Sequence, residues 1–226
     1  MVASTAITQA ILSFRDLEDK LGCRRIQTPN FFPEWQMPLP ELTPTETTGI
    51  NHLSQRYMTY LEEGEVSEGT LNIILISLIS PLLDILGLCD SPYRIRGETW
   101  VAVQTQMDTE DGRMTLEGRI DALTIQDDFW LVVIEGKRSG FNVLRAVPQA
   151  IAYMSATPYY PMFGLVTNGY DYLFVKLAGR EFGLSDNFSL LSDATRNLLR
   201  VAQVLKHLVG LNSRTANHGQ GATPYG

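Results

Sequence analysis

The sequence predicts a mixed α/β fold, an α+β arrangement of helices around a mixed sheet. Its order is α-βββ-α-ββ-α, behind an N-terminal helical extension. Three observations predict it. Up to Gly87, apolar residues recur at three- and four-residue steps, as on helix faces. From Tyr93 to Leu177 five segments follow a period of two, broken by polar or Asn-Gly turns. Helical spacing returns between the third and fourth of these segments, and again after the fifth.

Ser4 to Leu21 reads as one amphipathic helix, with Ile7, Ile11, Phe14, Leu17 and Leu21 on one face and Gly22 as its stop. Thr28 to Thr45 is rich in proline and aromatics. It is expected to lie as an extended strap over the body, because Phe31, Phe32, Trp35 and Met37 need cover. A helix follows to about Glu63, with Thr45 as its cap and Ile50, Leu53, Tyr57 and Leu61 on its inner face. Glu65 to Leu86 is apolar nearly all round, as a buried helix is. Ser67 is its candidate cap, Pro81 a candidate kink and Gly87 its end.

Strands are then expected within Tyr93–Met107, over Met114–Ile125 and over Phe129–Lys137. Leu131–Ile134 is apolar on both faces, which predicts a central strand. Val143–Ser155 reads as a helix, in which Pro148 either makes a kink or marks a late start. Met162–Thr167 and Tyr170–Leu177 form a hairpin about Asn168-Gly169. Asp193–Val209 is the closing helix, capped by Asp193. The polar, glycine-rich tail 212–226 is expected to be disordered.

The bulk numbers narrow the function. The length of 226 residues suits one domain with an extension. Cys23 and Cys89 have no metal-type spacing and no disulfide framework, which predicts a cytoplasmic protein. No signal peptide is expected, and Leu71–Leu88 is too interrupted by polar groups for a membrane span. A net charge of -7 argues against a protein that coats nucleic acid. It leaves a nuclease open, because a metal site gathers carboxylates. His52, His207 and His218 lack ligand spacing, and no serine sits in a nucleophile elbow.

The chemistry concentrates in Leu116–Arg138. Glu135 and Lys137 are two apart on a predicted strand and so share a face. If the preceding strand pairs antiparallel, Asp121 lies toward the far part of the hairpin, where a small slip or bulge would bring it beside Glu135. Two carboxylates and the Gly136 carbonyl would give hard oxygen ligands for Mg²⁺, with Mn²⁺ as a substitute. Lys137 would orient or deprotonate an attacking water, or stabilise the charged transition state. The plainer alternative is a solvated cross-strand Glu–Lys pair with an unrelated Asp ahead of it.

Ile120-Asp121 followed by Glu135-Gly136-Lys137 resembles the signature of the PD-(D/E)XK nuclease superfamily. Glu68 in SEGTLNIILISLISPLLDILGL, Gln149 and Tyr153 in PQAIAYM, and the segment LVTNGYDYLF are similar to features of one branch. That branch is the N-terminal nuclease domain of type I restriction enzyme motor subunits. The resemblance covers about 65–177. It implies a restriction-endonuclease-like core over 65–211, behind a packed extension 1–64. It also implies Mg²⁺-dependent DNA hydrolysis, and a motor or specificity subunit as a partner besides DNA. Ile120 stands where the superfamily name has proline. The chain carries no G-x-x-x-x-G-K-S/T loop, so no ATP-driven motor is encoded in it.

In this reading Asp121, Glu135, Lys137 and Glu68 are the catalytic set. Gln149 and Tyr153, four apart, share a helical face with Arg145 and would contact nucleic acid together with Arg138. Arg119, Arg138 and Lys176 are candidates for a basic rim. Glu68 has an alternative role as favourable charge at a helix N-terminus, and Tyr153 an alternative as a core residue. Two rival functions remain: a catalytically silent nuclease-fold module for binding or assembly, and an acidic regulatory protein whose charges form a surface ion cluster.

Overall fold

A computed structural model describes residues 4–63, 71–91, 93, 95–109, 112–125, 129–133, 142–156 and 161–218. For residues 4, 71–72, 95–101, 103–109, 112–114, 117–125, 129–133 and 212–218 the description is of backbone only.

The N-terminal segment is not one helix. It is a strand β1 (Ser4–Ala6), a single turn α1 (Ile7–Ala10), a break, and α2 (Phe14–Leu21). Ser13 causes the restart. It adopts extended backbone and its hydroxyl accepts from the Asp16 amide, which is N-cap geometry. Gly22 ends α2 in the left-handed conformation, and β2 (Arg24–Arg25) follows. The strap buries Phe32 and Trp35 as expected, whereas Met37 is 48% exposed. The amides of Gln36 and Met37 both donate to the Pro33 carbonyl, and this turn carries Met37 out of the cover.

Helix α3 (Pro44–Glu62) is capped by Thr43, not Thr45, in a complete capping box with Glu46 and with Pro44 in the first turn. Ile50, Leu53 and Tyr57 are buried as predicted, with Ser54 among them. The next helix is described from Leu71: α4 (Leu71–Ile74), a π turn (Leu75–Ile79) and α5 (Ser80–Ile85). Pro81 explains the irregularity. It has no amide to give to the carbonyl of Ser77, four residues back, and that carbonyl accepts from Arg56 Nη2 at 3.4 Å instead.

The sheet is mixed and eight-stranded. Strands β3 (Ile95–Thr109), β4 (Gly112–Ile125) and β5 (Phe129–Val133) form an antiparallel meander. A 3-10 turn (Val143–Arg145) and α6 (Val147–Met154) cross to β6 (Met162–Thr167), which is parallel to β5. Then β7 (Asp171–Ala178) and β8 (Glu181–Ser189) complete a second meander, and α7 (Leu190–His218) closes the chain. Strand β8 was not anticipated. Nor was the reach of α7 to His218, through the first part of the tail expected to be disordered. Pro148 lies in the first turn of α6, so it marks a late start. Asp193 breaks the helical backbone of α7, and its carboxylate accepts from the Arg196 amide, as a cap should.

Each face of the sheet carries a core. On one face Phe163, Leu165, Tyr172 and Phe174 meet α3, α5 and α7. On the other Val166, Leu173, Val175 and Leu177 meet α1, α2 and α6. Successive residues of β6 and β7 therefore serve opposite cores, which is the period of two read in the sequence. No helix among the described residues is long and apolar enough to cross a membrane.

Candidate functional site

Of the predicted site residues, Asp121 lies on β4 and Gln149 and Tyr153 on α6. Strand β3 pairs with β4 over both of its halves, so it occupies one edge throughout. The other edge is divided. Strand β1 runs parallel to it at Thr115–Glu117, and β5 pairs antiparallel at Ala122–Ile125. The four residues Gly118–Asp121 lie between these two partners. Asp121 is adjacent to the last β4–β5 pair, Ala122 with Val132. Glu68, Glu135, Gly136, Lys137 and Arg138 lie outside the described residues. The side chains of Asp121 and Arg119 do so as well.

Val133, the last described residue of β5, is the register partner of Thr167 at the end of β6. Beyond Thr167 the chain turns at Asn168-Gly169. The Asn168 side-chain oxygen accepts from the amides of Tyr170 and Asp171 at 3.0 and 2.8 Å, and Thr167 Oγ1 accepts from the Gly169 amide at 3.0 Å. Gly169 has φ +87°, and the Tyr57 hydroxyl is packed where its side chain would be. This makes a buried polar group at that end of the sheet: Thr167, Asn168 and the hydroxyls of Tyr57 and Tyr172. Burial raises both phenols well above the usual tyrosine range, and Tyr170 beside Tyr57 adds to its shift. Tyr172 donates to the Gly169 carbonyl at 3.4 Å, while the Tyr57 hydroxyl is buried with no hydrogen-bond partner among the described residues.

The described residues predicted to touch nucleic acid differ in exposure. Arg145 is exposed, but in the 3-10 turn before α6. Gln149 is half-buried and donates from Nε2 to the Thr8 carbonyl at 3.5 Å. Tyr153 is 2% exposed and belongs to the core beneath α1 and α2. Its role as a core residue is the one this conformation supports. Lys176 is no part of a basic rim. It pairs with Glu34 of the strap at 2.5 Å and lies over the Phe31 and Phe163 rings. The cover that α1 and α2 place on α6 had no signal in the sequence, because Thr8 and Gln149 are 141 residues apart.

No family model matches this chain, and no curated protein or solved structure gives a significant match. Any functional reading therefore rests on the chain's own residues and on its topology.

Proposed function

We propose that this chain is a metal-dependent DNA endonuclease domain of the PD-(D/E)XK type, hydrolysing phosphodiester bonds. The carrying observation is topological. An antiparallel three-strand meander is followed by a helical crossover to a parallel strand, and Asp121 stands on β4 next to Ala122, the register partner of Val132 on β5. That is the order the resemblance calls for, with Glu135 and Lys137 next along the chain. On the period of two these residues share parity with Leu131 and Val133, the register partners of Leu165 and Thr167.

Asp121, Glu135 and the Gly136 carbonyl are the groups that would hold Mg²⁺. Two carboxylates and a carbonyl are hard oxygen donors, the kind such a cation takes. A bound Mg²⁺ supplies stabilisation of the charge that builds up during phosphodiester hydrolysis. Lys137 orients the attacking water and takes or shares its proton. Glu68 holds Lys137 or a water in place, and Arg145 and Arg138 contact the phosphate backbone. The test is cleavage of plasmid and single-stranded DNA in Mg²⁺ or Mn²⁺. Lys137→Ala should lower the rate by roughly 10²-fold or more. Equal activity in the two proteins would remove the lysine from the mechanism.

A second reading is favoured by the burial of Tyr153 and the tie between Gln149 and Thr8: a nuclease fold retained as a silent binding or assembly module. Metal titration separates the two. An active site predicts a melting temperature that rises with Mn²⁺ in wild type and does not rise in Asp121→Asn or Glu135→Gln. The silent module predicts no rise in any of them.

A further inference from the structure

Helix α6 is closed off in this conformation. Residues 150–154 are all at most 2% exposed, and α1 and α2 provide the cover. A nuclease that reads nucleic acid with α6 must move something, and the two covering elements differ in length and in capping. Helix α2 is capped by Ser13 and ended by Gly22, with Leu17 and Leu21 fully buried. The segment before it is short, and it is seated in the core by Ile7 and Ile11, both fully buried, and by Ala10. Strand β1 makes three register pairs with β4, and α1 is one turn with no side-chain cap bond. The break at Ile11–Ser13 separates them.

One side chain bridges that break. Lys20 of α2 donates from Nζ to the Ala10 carbonyl, the last of α1, at 2.5 Å. Asp16 holds the same ammonium at 3.2 Å and also accepts from the Leu12 amide. The held segment touches both parts of the candidate site. Its strand shares the β4 edge that carries Asp121, and its Thr8 carbonyl takes the Gln149 amide.

We propose that residues Ser4–Ile11 are a displaceable cover on α6, latched by Lys20, which must open before nucleic acid reaches Gln149 and Tyr153. The proposal rests on the nuclease reading above. The closed segment lowers apparent affinity by the fraction of molecules that are open, so loosening the latch tightens binding without adding a contact.

The test uses the full chain with Lys20→Met, which keeps the apolar stem and removes the charge. Amide exchange over residues 5–11 is followed, together with binding of a labelled single-stranded oligonucleotide in Ca²⁺. The variant should exchange several-fold faster there and bind roughly fivefold tighter. Oligonucleotide added to wild type should speed exchange of the same amides. Unchanged exchange in Lys20→Met overturns the latch. Equal, measurable affinity in the two proteins, or protection of residues 5–11 by the oligonucleotide, overturns the cover and leaves the nuclease reading standing. Faster exchange with no binding by either protein overturns the nuclease reading, and the cover's function with it.

Discussion

Glu46 illustrates how one side chain ties α3 to α7. Its Oε2 accepts from the Thr43 amide at 2.7 Å, and its Oε1 from Lys206 at 2.6 Å. Burial alone would raise its pKa, but the Lys206 and Thr43 bonds outweigh that and hold it below the ordinary 4.5. The folded state thus binds this proton less readily than the unfolded chain. The contribution is complete above about pH 4.5 and is lost as pH falls through the lower folded value. Glu46→Gln should cost about 1 kcal/mol at neutral pH, since Lys206 is 31% exposed and partly screened. Urea midpoints of the two proteins should converge as the pH drops below 4.5. A constant gap would show that charge is not the cause. The sequence signals a helix start here, but its choice of Thr45 misses the reciprocal bonds of Thr43 with Glu46 that decide the cap.

Turns and strands show where local reading succeeds and where it stops. Asn168-Gly169 is legible because few residues other than glycine accept φ +87°. A Cβ at position 169 would run into the Tyr57 hydroxyl, so Gly169→Ala combines backbone strain with a clash against α3. It should destabilise by about 2–3 kcal/mol in denaturant titration. A loss under 1 kcal/mol would mean that Tyr57 is not packed against this turn. Strand β8 is illegible for the opposite reason. Its burial alternates irregularly, its pairing with β7 shifts register near Leu173–Val175, and β7 is what makes it a strand. Strands β1 and β2 have parallel partners more than a hundred residues away, which no local pattern carries. The break in α1–α2 lies at Ser13, whose hydroxyl competes for the Asp16 amide while the apolar spacing continues through it.

The molecule is built on one sheet with two cores. Because β6 and β7 send alternate side chains into both, neither core can unfold and leave the other's strands intact. The expectation is one cooperative transition, in which tryptophan fluorescence and far-ultraviolet circular dichroism give coincident denaturation curves. Trp35 in the strap reports on the first core, stacked edge-on against Phe188. Its signal moving ahead of the backbone signal would show that the strap detaches alone, against the Lys176–Glu34 pair that fastens it. By itself the sequence determined the elements that depend on neighbours along the chain. These include the three- and four-residue spacing of α3 and α7, the meander with period two, the disturbance at Pro81, and the spacing that places Asp121 ahead of Glu135 and Lys137. Only the tertiary structure decided which edge of β4 receives β1, that Tyr153 is covered, and that Lys176 is held by the strap. Those outcomes come from pairings between distant segments, whose register is set by packing on both faces of the sheet and not by any local periodicity.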